Sequence, residues 1–273
     1  MREVVKMERC RLCQGENVPL KESHIVSKMF FNAIKKKSPT GIMRQVSDPN
    51  KGLQDGIKTP LLCGRCEELF SKYETYFSNN IYTKTINAEG EIQFDSRDDR
   101  LSYFLLSIAW RVMKYIREKN DTTFTDNENK KIDEVIEEWR LLLDTENMHE
   151  IRKIQQFIIP TKKLKFFQNI EMRVHDNVMM DFKTFDKEDT FKFGFTIVQV
   201  PYFIFITTVW GKTDTMKQYQ LGRIIKPRES ELPQNITHLL FDKHYTKYFE
   251  AVERMSEKQK KIIEDRVKKQ QLK

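Results

Sequence analysis

The chain has 273 residues, 39% of them apolar, and 19 Phe, 9 Tyr and 3 Trp give that fraction enough bulk for one large core or two modest ones. Its longest apolar run, near Tyr202 to Val209, falls far short of the roughly 20 residues of a membrane-spanning helix, and the opening MREVVKMERC lacks the apolar segment of a signal peptide, so no membrane and a reducing cytoplasmic setting are expected. Residues 1–85 carry 15 Lys/Arg against 9 Asp/Glu, most of the net +8, so the basic excess is concentrated where phosphates are the natural counter-charge.

Residues 1–88 read as short elements around CRLC (residues 10–13) and CGRC (63–66), with the turn-rich SDPNKGLQDG between them. After Cys66 the apolar residues Leu69, Phe70, Tyr73 and Phe77 predict a helix with Glu67 and Glu74 on one side. Residues 96–148 read as two helices. Leu101, Phe104, Leu105, Ile108, Val112, Tyr115 and Ile116 recur at three and four, with Ser96 and Asp99 as a capping box. Ile132, Val135, Ile136, Trp139, Leu142 and Leu143 form the stripe of the second helix, capped by Thr125 and Glu128. The two are expected to pack antiparallel.

From about 152 to 226 the period changes to two: Phe191, Phe193, Phe195 and Ile197 alternate with Lys192, Gly194 and Thr196, and YFIFITTVWG predicts a strand buried on both faces. IQQFIIP and MRVHDNVMMDF supply further strands of an antiparallel sheet whose aromatics are core. Helices return over about 233–270. The fold class is therefore α+β, with a module over residues 1–88 and an α+β domain over 89–273.

Cys10, Cys13, Cys63 and Cys66 form two Cys-x-x-Cys pairs with 49 residues between them. Each pair sets two sulfurs on one tight turn, and two such turns complete a tetrahedral Zn2+ site. Arg9, Arg11 and Arg65 beside them favour thiolate. Four sulfur ligands leave no open coordination position, so this zinc is expected to be structural and its binding to stabilise the N-terminal fold.

The succession CRLC, ESHIVSK, LLCGRCEELFSKYE resembles the four-cysteine branch of the HNH, or His-Me finger, endonucleases over residues 10 to about 76. The resemblance implies a zinc-stapled ββα module, a hairpin carrying His24 clamped to a helix. It implies His24 as the general base that deprotonates water, a task suited to a side chain that titrates near neutrality. It also implies a catalytic Mg2+ or Mn2+ that stabilises charge on a scissile phosphate. Ser23 stands where the family has an acidic or histidine ligand, with Glu22 before it. Glu67 stands where the family has Asn or His after the last cysteine, and Glu74 is a second candidate oxygen ligand two turns on. Lys58 and Thr59 occupy the neighbourhood of the family asparagine.

Lys28, Lys35, Lys36 and Arg65 are the candidate nucleic-acid contacts. DNA and RNA stay open, as does assembly as a homodimer or with a partner subunit; a role in bacterial defence against phage is implied by the resemblance alone. The alternative reading is a non-catalytic zinc scaffold that binds nucleic acid or a protein partner.

Overall fold

The structure, a computed structural model, describes residues 7–38, 40–87, 93–119, 124–162, 177–187, 191–226, 232–240 and 245–271. The expected division after residue 88 falls in 88–92, outside the described residues, as do His175, His244 and the first part of MRVHDNVMMDF. Buried apolar side chains from Cys10 to Tyr245 belong to one hydrophobic cluster.

The N-terminal region begins with β1 (Met7–Glu8) and β2 (Val18–His24), then α1 (Lys28–Lys37), the short strands β3 (Met43–Arg44) and β4 (Gly52–Leu53), β5 (Lys58–Cys63) and α2 (Gly64–Phe77). Strand order is β1-β2-β5, all antiparallel, with Leu20 opposite Cys63 and His24 opposite Lys58. α2 starts directly at the end of β5. It buries Cys66, Phe70, Tyr73 and Phe77, and its axis continues through a wide turn at Ser78–Tyr82 into α3 (Thr83–Asn87).

β6 (Phe94–Asp95) leads into α4 (Asp99–Glu118), which is buried on every side from Leu101 to Met113, as a central helix of a layered core must be. Its cap is Asp98, whose side chain accepts from the Arg100 N–H. The expected cap at Ser96 is therefore corrected: its hydroxyl donates to the Arg223 carbonyl at 2.6 Å, bracing β6 against β11 (Ile224–Ile225). α5 (Asp126–Asp144) carries the expected Thr125–Glu128 capping box.

Three contacts fix the helix pair as antiparallel. Tyr103 Oη donates to the Leu143 carbonyl at 2.8 Å, Trp110 Nε1 to that of Ile136 at 3.2 Å, and Arg117 pairs with Asp133 at 2.8 Å.

After the single turn of α6 (Met148–Ile151) come β7 (Gln156–Pro160), β8 (Met179–Lys187), β9 (Phe191–Val200) and β10 (Phe203–Trp210), an antiparallel sheet in the order β7-β10-β9-β8. β9 and β10 turn at Pro201, with Tyr202 at φ 73°. Every residue of β10 is buried, as the uninterrupted apolar run predicts. Gly194 is required opposite Trp210, because a Cβ there would stand 2.4 Å from the indole. Phe203 and Phe205 meet Phe77 at 5.6 Å each, joining sheet, α2 and α4 in one aromatic layer.

The chain closes with α7 (Gln234–His238), α8 (Thr246–Glu253) and α9 (Glu257–Gln271). The end of α8 and the face of α9 lie on the loop that holds β3 and β4. Arg254 Nη2 donates to the Val46 carbonyl at 2.9 Å, Arg44 Nη2 to Gln259 Oε1 at 3.0 Å, and Arg266 Nη1 to the Thr40 carbonyl at 2.7 Å.

Candidate functional site

Two polar centres flank the β2–β5 ladder. The first is the cysteine clasp. The CRLC turn closes through Gln14 N–H to the Cys10 carbonyl at 3.0 Å, with Gln14 in the left-handed region at φ 59°, and Arg11 N–H fastens the turn to the Leu61 carbonyl of β5 at 3.0 Å. The four sulfurs all lie within 4.8 Å of one another, and Cys13 Sγ and Cys63 Sγ are 3.8 Å apart. A tetrahedron with Zn–S bonds of about 2.3 Å has edges of about 3.8 Å, so the sulfurs already have the spacing zinc imposes.

Hydrogen bonds from the Cys66 thiol and the Cys63 N–H favour the Cys10 thiolate, down to about 4 against the opposing effect of burial, while the hydrogen bond shared with Cys10, burial and the Cys10 charge push Cys66 well up. Four thiolates this close together would need a cation to balance them. Arg65, an expected nucleic-acid contact, is exposed and borders this centre: a hydrogen bond with Cys13 raises its pKa, and it stands 3.8 Å from Asp144.

The second centre is the corner at His24, five positions along β5 from Cys63 and so roughly 16 Å from the clasp. His24 Nε2 lies 2.8 Å from Asp55 Oδ1. A carboxylate only accepts, so Nε2 carries a proton, and in the neutral ring the lone pair is on Nδ1, which has no hydrogen-bond partner among the described residues. The imidazole is 16% exposed.

Asp55 is itself held from three sides, by His24, by the Lys58 ammonium on its other oxygen, and by the Gly56 N–H at 2.9 Å. Burial pushes the Asp55 carboxyl up, but the hydrogen bonds from Lys58, His24 and Gly56 outweigh it and hold it well below the ordinary carboxylate range. Gly56 must lack a side chain, since a Cβ there would stand 2.1 Å from the Phe31 ring that packs beside His24.

The backbone at His24 is fixed as firmly as its ring. Arg111, whose side chain is 4% exposed in the middle of α4, donates from Nη1 to the His24 carbonyl at 2.9 Å and from Nη2 to Glu74 Oε1 at 2.8 Å. One guanidinium thereby ties β2, α2 and α4 together.

The expected ligands are thus placed differently from one another. Glu74 shares the His24 corner but is taken up by Arg111. Glu67 lies seven residues earlier, about 10 Å up the helix, and keeps a buried Oε1 with no partner among the described residues. Ser23 is buried, its hydroxyl bridging the Lys21 carbonyl and the Leu62 N–H. Among the described residues only the four cysteines gather three or more metal-ligating groups. Lys28 and Lys36 are exposed, and Lys35 Nζ donates to the Gln54 carbonyl at 2.9 Å, beside Asp55.

Asp55 and Arg111 are the neighbours of His24 that sequence reasoning missed, and Lys58 is named there only for its place near the family asparagine. The signals were there: Asp55-Gly56 is a turn dipeptide and Arg111 interrupts an apolar run. No described helix is long and apolar enough to cross a membrane. Comparison with protein-family models, with curated proteins and with solved structures gives no match.

Proposed function

We propose that this protein is a zinc-stapled, metal-assisted nuclease that hydrolyses phosphodiester bonds, with His24 as general base. The observation that carries the reading is the His24–Asp55 pair, one ring nitrogen committed to a half-buried carboxylate and the other without a hydrogen-bond partner among the described residues. In that arrangement Nδ1 takes the proton from a water as its oxygen attacks phosphorus, and Asp55 orients the ring and offsets the imidazolium charge. Arg111 keeps the strand end from shifting. Lys58 lies beside Asp55, within reach of a phosphate bound at the corner.

The strand, strand, helix order of β2, β5 and α2, with the cysteines at its base, agrees with the likeness to HNH nucleases. A Mg2+ or Mn2+ would stabilise charge on the phosphate and the leaving oxygen. The unpartnered Glu67 oxygen is its candidate protein ligand, with most of its shell drawn from water and substrate, a common habit of Mg2+.

A second reading has its own observation behind it. Glu74 is already neutralised and no carboxylate trio gathers at His24 among the described residues, which favours a scaffold that grips nucleic acid without cutting it. Purified protein incubated with supercoiled plasmid, single-stranded DNA and RNA, with Mg2+ or Mn2+, separates the two. The nuclease reading expects cleavage that drops at least about 100-fold in His24→Ala, the scale of a lost general base, and partially in Asp55→Asn. Cleavage untouched by His24→Ala, or none on any substrate, leaves the scaffold.

A further inference from the structure

The basic charge of this chain is gathered by the fold into one surface. Residues 28–54 hold six cations against Asp48 alone, and residues 254–271 hold seven against three acids, so these 45 residues carry a net +9 and the rest of the chain a net −1. The segments are more than two hundred positions apart, yet Arg254, Arg44 and Arg266 pin them together.

α9 turns Gln259, Ile263 and Val267 inward. Its exposed Lys258, Lys261, Lys268 and Lys269 fall within about 100° of arc at 3.6 residues per turn, interrupted by Asp265. None of these four makes an ion pair with a described residue, and neither do the exposed Lys28, Lys36 and Lys51 on the other segment. An excess of this kind, concentrated on two faces that touch, is the electrostatic footprint of a polyphosphate backbone. The loop between the two faces runs directly into Asp55, so one end of this surface is the His24 corner.

We infer that α9 and the α1–β4 segment together form the docking surface for a nucleic-acid backbone, with α9 as a basic strap over the loop that leads to His24. The inference shares the nucleic-acid partner of the reading above but needs no hydrolysis, so binding is measured with no added divalent ion and its failure is read separately from that of cleavage.

The test is a salt titration of binding to short labelled duplex DNA, single-stranded DNA and RNA, comparing the parent with Lys258→Gln/Lys261→Gln/Lys268→Gln/Lys269→Gln. A second variant, Lys28→Gln/Lys36→Gln/Lys51→Gln, probes the other face, and Lys130→Gln/Lys212→Gln serves as a control elsewhere on the surface. Each phosphate contact contributes roughly 0.7 to 0.9 to the log–log salt slope. The α9 variant should therefore lose roughly 3 to 3.5 from the slope and at least about tenfold in affinity at physiological salt, and the α1 variant roughly 2 to 3. Melting curves superimposing on that of the parent establish that both variants are folded, as expected for exposed positions. An unchanged slope in the α9 variant overturns the inference. So does a parent that ignores all three nucleic acids, or that prefers vesicles of anionic phospholipid to them.

Discussion

The two ends of the β2–β5 ladder solve the burial of charge in opposite ways. At the cysteine end, four groups of one kind converge, and as thiolates they would need an ion from outside to balance them. At the His24 end, unlike groups converge and balance one another: Asp55 with Lys58 and His24, Glu74 with Arg111. The first centre has the arrangement of a staple whose strength would depend on a metal. The second is held by the chain itself, with His24 Nδ1 left without a hydrogen-bond partner among the described residues.

The largest effect expected from breaking this contrast is at the clasp. Cys63→Ser should abolish zinc binding, measured as metal content of the purified protein, and cost about 4–5 kcal/mol or more. For a chain of this size that is roughly 10–20 °C of melting temperature. Zinc content and melting behaviour equal to the parent would mean that the cysteines are merely four clustered thiols.

A smaller loss is expected at the guanidinium. Removing one partner of a buried ion pair costs about 3–5 kcal/mol, and Arg111→Met should fall toward the lower end because the Glu74 side chain is 23% exposed. Arg111→Met/Glu74→Leu should recover most of that loss in denaturant unfolding. Full additivity of the two substitutions would show that the pair is not coupled.

The smallest effect is one of pH. Asp55 has its folded pKa depressed below the ordinary 3.8, so it binds fewer protons folded than unfolded. Its contribution is whole above that value and drains away as pH falls below it. Asp55→Asn should therefore flatten the acid limb of the stability curve below about pH 4 and leave the neutral region's slope alone. An acid limb as steep as that of the parent would mean that neither Lys58 nor His24 holds the Asp55 carboxylate.

Much of the frame was legible because it is written in local spacing. The cysteine pairs, the stripes of α4 and α5, the Thr125 cap and the alternation into β9 each follow from residues a few positions apart. What escaped is written in distance. Asp55 lies 31 positions from His24 and Arg111 lies 87 from it, and no periodicity connects them. α1 was hidden because residues 1–88 were read only as short elements around the cysteines, although Lys28 to Lys37 hold one turn of Phe30 and Phe31 against the core. The shift of the α4 cap from Ser96 to Asp98 has the same origin, since Ser96 is claimed by Arg223, just before a strand much later in the chain.

The late arrival of α9 sets an order of events during synthesis. At roughly 5–20 residues per second, the ribosome releases the loop around Val46 some ten to forty seconds before Arg254 and Arg266 emerge to cover it. A nascent chain can thus take up zinc and pair its first strands early, while half of its cationic surface has yet to be made.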